Sequence, residues 1–254
     1  MRRMPTPLLL LNKQLRMARS EIPGISVAIV FAAPDCASLH PGYVCGMPIR
    51  HVIFDLSEVL LTGVKDTGIA LGIRHQVQIP AAFTGTSGSL NPLMIPAVRE
   101  FFNGGCTEDR YIAEVLKLYP MFGPHHDLKA HIRENFREVE GTREIVLKLR
   151  ELGYGTALLS VHGREWIAYC EARFAIREMF DTVCYSFDHQ VSKPEPQAFL
   201  RTLEQMAAKP EECLFIDDSQ QNVDAANELG IGGVLFRTAA DLKLELARRL
   251  PDFS

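Results

Sequence analysis

Five short apolar runs, HVIFD (51–55), GTALLS (155–160), DTVCY (181–185), CLFID (213–217) and GGVLF (232–236), recur through the chain from residue 51 onward. Their length and residue types read as strands. Helical patterns lie between them. Ile145, Val146, Leu149 and Leu152 fall at i, i+1, i+4 and i+7, behind a Thr142 cap and ahead of Gly153 as terminator. Another helix is predicted from about Ser219 to Leu229, stopped by Gly230. Strands alternating with helices predict an α/β fold, a doubly wound parallel sheet covered on both faces.

One long interruption separates the first two strands. Residues 64–138 carry helical patterns around 94–102, 107–118 and 126–138, separated by the loop TGTSGSL (84–90) and by YPMFGP (119–124), and read as an inserted α-helical cap. The catalytic core is then expected from 47–63 and 139–254, with residues 1–46 a weakly ordered leader. That leader holds a basic start, the run Leu8 to Leu11 and the segment ISVAIVFAA, but Arg16, Arg19 and Glu21 intervene where a signal peptide would be continuous.

Composition excludes several classes of function. A net charge of −4 gives no electrostatic footprint for nucleic acid or an anionic membrane surface. No apolar stretch approaches the length that spans a bilayer. The six cysteines lie far apart, without a C-x-x-C pair, so reduced thiols in a cytoplasmic protein are expected rather than a zinc site or a disulfide framework.

In a doubly wound sheet, ligands bind beyond the carboxyl ends of the strands. Here the first strand ends in Asp55, the second in Ser160 and the fourth in Asp217 and Asp218, while the loop after the third carries Lys193 in VSKPEP. Each alone has an ordinary explanation: a strand-end acid, a turn serine, a solvated lysine, a helix-capping acid pair. Together they are three acids, a hydroxyl and an ammonium at one edge. Nearby carboxylates repel unless a cation joins them, and Mg²⁺ suits carboxylates plus water. Magnesium and lysine together neutralise the oxygens of a transferring phosphoryl group, which points to phosphoryl transfer, with Asp55 either a metal ligand only or also a nucleophile.

Residues 47–250 resemble the haloacid dehalogenase-like hydrolase superfamily through FDLSEVLL, TALLSVHG, VSKPEP and LFIDDSQQNVDAANELG. The resemblance implies a Rossmann-like core with a helical cap inserted after the first strand. It implies that Asp55 is the nucleophile and a Mg²⁺ ligand, that the backbone carbonyl of Ser57 and Asp218 are further ligands, and that Asp217 acts through water or Lys193. Ser160 and Lys193 would hold the phosphoryl oxygens of a small phosphorylated metabolite. Two departures stand out. Ser57 occupies the place where most phosphatases of the family carry a second, proton-transferring aspartate, and Val161 stands where relatives often place asparagine. Glu58 is next door, but in an extended segment it points to the opposite face. Three functions follow: a Mg²⁺-dependent phosphatase, a metal-independent carbon–halogen hydrolase, or a phosphate-binding regulatory protein without turnover.

Overall fold

Val52, Ile53 and Phe54 are consecutive and fully buried, so the strand they form is covered on both faces. The computed structural model describes residues 48–77 and 91–253. The chain enters with β1 (His51–Phe54) and then β2 (Leu61–Thr62), which pairs antiparallel with β3 (Arg137–Glu138) in a two-stranded ribbon. β4 (Gly155–Ser160), β5 (Thr182–Tyr185), β6 (Cys213–Asp217) and β7 (Gly232–Leu235) complete a five-stranded parallel sheet in the order β5-β4-β1-β6-β7. β1 is central, flanked by β4 and β6. Chain direction across the sheet reverses there, which makes the crevice beyond β1 the place for a ligand.

Between β2 and β3 lie α1 (Val64–Arg74), α2 (Ala97–Phe102), α3 (Glu108–Leu118) and α4 (His125–Glu134). The sheet crossovers use α5 (Thr142–Glu151), α6 (Arg164–Phe174), the single turn α7 (Ser186–His189), α8 (Pro196–Met206) and α9 (Gln220–Glu228), and α10 (Ala239–Arg249) follows β7. Strand alternation sends Val52 and Phe54 to one core, with Val146 and Leu149 of α5, Ile167 of α6 and Leu246 of α10. Ile53 and Phe215 face the other, against Phe199 and Leu203 of α8 and Ala226 of α9.

The first of these cores continues into the helical insert through Phe101, Tyr111, Val115 and Ile132. Phe101 stacks on Tyr111 with centroids 5.0 Å apart and meets Trp166 of α6 edge-on at 4.9 Å. That approach requires glycine at 163, because a β-carbon there would lie 2.0 Å from Phe101 Cζ. A polar knot reinforces it. Glu108 opens α3, is 1% exposed, and accepts hydrogen bonds from Trp166 Nε1 at 2.7 Å and from Arg133 Nε at 2.9 Å and Nη2. Glu165 of α6 in turn accepts from the Glu108 backbone N–H at 3.1 Å.

The five strands fall where the apolar runs predict them. Helix ends differ more. Thr142 does not cap α5: it is the helix's first residue and fully buried, and Gly141, at φ 84°, is the cap position. α2 begins only at Ala97, after Pro96, and α4 ends at Glu134 because 137–138 join the ribbon. α1 was not among the predicted helices: it buries only Thr67, Gly68 and Leu71, which leaves no apolar period to read. The expected leader at 1–46 and the loop at 84–90 lie outside the described residues. Among the described residues, no helix is long and apolar enough to cross a membrane.

Glu108→Ala would leave the Trp166 N–H and the Arg133 guanidinium without their shared acceptor. Arg133 is partly exposed and can be solvated, so the loss is mainly that of an orphaned buried Trp166 N–H, about 1–3 kcal/mol, and the melting temperature should fall by roughly 5 °C. A loss of only a degree or two in a calorimetric scan would show that water replaces the carboxylate.

Candidate active site

Asp55 is the first residue past β1, and its N–H donates to Ile216 O at 2.9 Å, carrying the β1–β6 register one step beyond the strand. Phe54 pairs with Ile216, so Asp55 stands level with Asp217 at the end of β6. Lys193 arrives from the loop between α7 and α8, and its Nζ lies 2.7 Å from both Asp55 Oδ1 and Asp217 Oδ2. All three side chains are buried. Asp218 completes the group: Asp55, Asp217 and Asp218 each place a carboxylate oxygen within 4.8 Å of the others.

Asp217 is held from behind. Its Oδ1 accepts from the Ser219 N–H at 2.8 Å, and Asn222 Nδ2 lies 3.0 Å from both of its oxygens. Asn222 was quoted in the sequence pattern but given no role. Its signal is position, since five residues after Asp217 the first turn of α9 brings it back over the strand end.

Three carboxylates gather around the ammonium of Lys193, and Lys65 also acts electrostatically on Asp218, so the acids still outnumber the cations. The electrostatics record that deficit. Burial pushes Asp55 up to about 7, against the pull of Lys193 and with Asp217 and Asp218 adding to the rise. Burial likewise raises Asp218, helped by Asp217. Burial opposes the charge on Lys193, yet Asp217 and Asp55 outweigh it and hold the ammonium above its ordinary range. A divalent cation fits this donor set: hard, oxygen-only and richer in acids than in cations.

Ser160 ends β4, the other neighbour of β1. It is 1% exposed, and among the described residues its Oγ has no hydrogen-bond partner. The Thr67, Tyr119 and Thr142 hydroxyls are likewise unpartnered, but Ser160 alone of the four ends a strand next to β1, where it fits a site for a ligand oxygen. Ser57 sits in a tight turn in which Leu60 and Leu61 donate to Leu56 O and Glu58 donates to Leu61 O. Among the described residues none donates a hydrogen bond to the Ser57 carbonyl, so it is free to meet a cation. Glu58 is not extended, as the sequence suggested, but left-handed at φ 58°. Its carboxylate accepts from Thr62 Oγ1 at 3.0 Å and lies outside the three-carboxylate group.

His162 follows Val161, the position where relatives often place asparagine, and as a loop histidine would be expected to be a solvated bystander. It is instead buried among Phe102, Phe136 and Trp166, with ring centroids 5.5–5.8 Å away. Desolvation lowers its pKa to about 4, so it is neutral at physiological pH.

Residues 105–236 match the model of the haloacid dehalogenase-like hydrolase family. The chain is 24% identical over 185 residues to the pyrophosphatase PpaX of Bacillus cereus strain AH820, covering 72% of this chain and 81% of that protein. The corresponding protein of strain B4264 is 26% identical over the same shares. Among solved structures, the fold is similar to the HAD family enzyme bt-2542 of Bacteroides thetaiotaomicron in complex with magnesium and inorganic phosphate, with TM-score 0.57 and 20% identity over 75% of this chain and 95% of that one. It is also similar to the L-2-haloacid dehalogenase of Xanthobacter autotrophicus, with TM-score 0.53 and 16% identity over 79% and 83%.

His162 gives the site a pH signature. Its folded pKa of about 4 lies below the ordinary 6.5, so the unfolded chain binds the proton first and stability falls as pH drops from 6.5 towards 4. At pH 5 the loss is about 2 kcal/mol. Wild type should therefore lose more melting temperature between pH 7 and pH 5 than His162→Phe, and parallel curves would mean that the ring is charged in the fold.

Proposed function

The chain belongs to the haloacid dehalogenase-like hydrolases, and on that premise we propose that it is a Mg²⁺-dependent phosphatase acting on a small phosphorylated metabolite through an aspartyl-phosphate. The observation that carries this reading is the cluster of acids at the β1 and β6 ends: Asp55, Asp217 and Asp218 within 4.8 Å of one another, with Lys193 in contact with Asp55 and Asp217. The orphaned Ser160 hydroxyl supports it from the neighbouring strand.

In this reading Asp55, Asp218 and the Ser57 carbonyl hold the metal, with Asp217 behind them fixed by Asn222 and Lys193. Magnesium supplies charge neutralisation on the phosphoryl oxygens. A carboxylate oxygen of Asp55 attacks phosphorus, the bond to the leaving oxygen breaks, and that oxygen departs with the electron pair. Ser160 and Lys193 contribute hydrogen bonds to the phosphoryl oxygens as charge develops on them. Water then attacks the acyl phosphate at phosphorus, releasing inorganic phosphate and regenerating Asp55. The four-helix insert acts as the cap that encloses the leaving group.

Carbon–halogen hydrolysis uses an aspartate nucleophile too, but attack on carbon has no use for Asp217 and Asp218. Ser57 favours a different second reading, a phosphate-binding protein that lacks turnover. In that case Mg²⁺ with a phosphate mimic would raise the melting temperature, while wild type and Asp55→Asn would hydrolyse equally little.

Two measurements test the phosphatase. Phosphate release from a panel of phosphorylated metabolites should require Mg²⁺ and fall roughly 10³-fold or more in Asp55→Asn. Activity that survives chelation or the substitution would sink the reading. A serine at position 57 cannot protonate a leaving group, a contribution typically worth about 10²–10⁴-fold. Acetyl phosphate should therefore be turned over at least about 10²-fold faster than an alkyl phosphate, and equal rates would mean that another group supplies the proton.

A further inference from the structure

The three acids of the site are held by the sheet, since Asp55 continues β1, Asp217 ends β6 and Asp218 follows it. Lys193 has no such support. It lies in the loop between α7 and α8, where among the described residues the backbone of 191–195 makes two hydrogen bonds, both local: Glu195 N–H to Ser192 O at 2.9 Å, and the N–H of Ala198 in α8 to Glu195 O at 3.0 Å. No strand ladder sets where the lysine side chain begins. Its reach to Asp55 and Asp217 therefore depends on what the side chains of the loop hold.

The end of α2, in the insert, lies against this loop. Gly104 closes the helix in the left-handed region at φ 74°, and a β-carbon there would lie 3.0 Å from Phe187 Cβ. The Phe102 carbonyl, one of those a helix end leaves without an intrahelical partner, accepts from Ser186 Oγ at 2.5 Å, and that oxygen accepts in turn from the His162 N–H at 3.2 Å. This close seat brings Asn103 to the loop. Its Oδ1 accepts a hydrogen bond from the hydroxyl of Ser192, a buried residue that immediately precedes Lys193. A second contact from α2, Arg99 Nη2 to Glu195 Oε1 at 3.2 Å, joins two exposed side chains and fixes little.

We propose that Asn103 is a positioning residue for Lys193. It acts through Ser192, fixing the loop so that the ammonium stands 2.7 Å from both Asp55 and Asp217 and, in the phosphatase reading on which this inference rests, meets the phosphoryl oxygens as charge develops on them. A buried hydroxyl that loses its acceptor must turn towards another or towards water, and the backbone that carries Lys193 turns with it. Small displacements of this kind reduce rate far more than binding.

Asn103→Ala removes the acceptor, whereas Asn103→Asp keeps one at the same place. With acetyl phosphate and saturating Mg²⁺, well below the melting temperature, Asn103→Ala should lower kcat about tenfold or more while KM stays within a factor of about two, and Asn103→Asp should recover most of the loss. Ser192→Ala should reproduce the alanine effect, and the two alanine substitutions together should lose no more than either alone. A contact that merely straps the insert to the loop would lower the melting temperature and leave kcat unchanged. That result, or additive losses in kcat, overturns the inference.

A second readout needs no turnover. An ammonium held between two buried carboxylates exchanges its protons slowly and gives a side-chain ¹H–¹⁵N signal, which for Lys193 is assigned through its own side-chain carbons. The metal-free wild type should show this signal, Asn103→Ala should broaden or lose it, and Asn103→Asp should keep it. A signal missing from wild type, or unchanged in Asn103→Ala, overturns the inference as well. If wild type hydrolyses no phosphate compound, the phosphatase reading falls and this signal alone decides the role of Asn103.

Discussion

A lysine ammonium buried between two buried carboxylates is the constraint from which the architecture follows. Ions of this kind are tolerated in a protein interior only when partners are close and well oriented. Lys193 has both acids at 2.7 Å, and each of the three comes from a different chain segment. A central strand with neighbours on both sides brings these segments to one point, and the Asp217 carboxylate is further held by the Ser219 N–H and Asn222. The parallel sheet and its two cores hold these positions, and the packing of Ile53, Phe215 and Phe199 behind them is what keeps the charges from separating.

The balance is deliberately incomplete. The acids outnumber the cations around them, and burial first, then repulsion from the neighbouring carboxylates, pushes Asp55 and Asp218 upward. A group optimised for stability alone would replace the acid with an apolar residue, which is often neutral or better in buried ion clusters. Keeping the surplus charge makes sense for a site that receives a cation, because the cation's arrival converts repulsion into coordination. The unpartnered Ser160 hydroxyl belongs to the same logic: it is a hydrogen bond withheld from the fold.

Sequence made the sheet legible because each strand is a short, nearly continuous apolar run, and because Asp55, Ser160, Asp217 and Lys193 sit at strand ends or in the loops that follow. What it left obscure has physical causes. α1 has almost no buried apolar face, and β2 and β3 span two residues each, too few for any period to show. Glu108 looks like a solvated helix-start acid until folding brings Trp166, 58 residues away, to its carboxylate. Glu58 reads as extended because neighbouring strand residues point apart, but a left-handed turn sends its carboxylate to Thr62. The burial of His162 is hidden in the sequence for the same reason as that of Glu108: its aromatic surroundings come from Phe102, Phe136 and Trp166 on three other segments.

The links between the insert and the sheet differ widely in strength. Moving all four helices as a body would pull Phe101 from the surface of Gly163, break the shared aromatic cluster and leave Glu108 without Trp166. Those contacts are buried, and losing them together would expose a large part of one core. The Arg99–Glu195 pair is the opposite case: it faces solvent and adds little to the link. The buried aromatic and Glu108 contacts therefore hold the insert to the sheet, and the charges at the strand ends are held by the sheet itself.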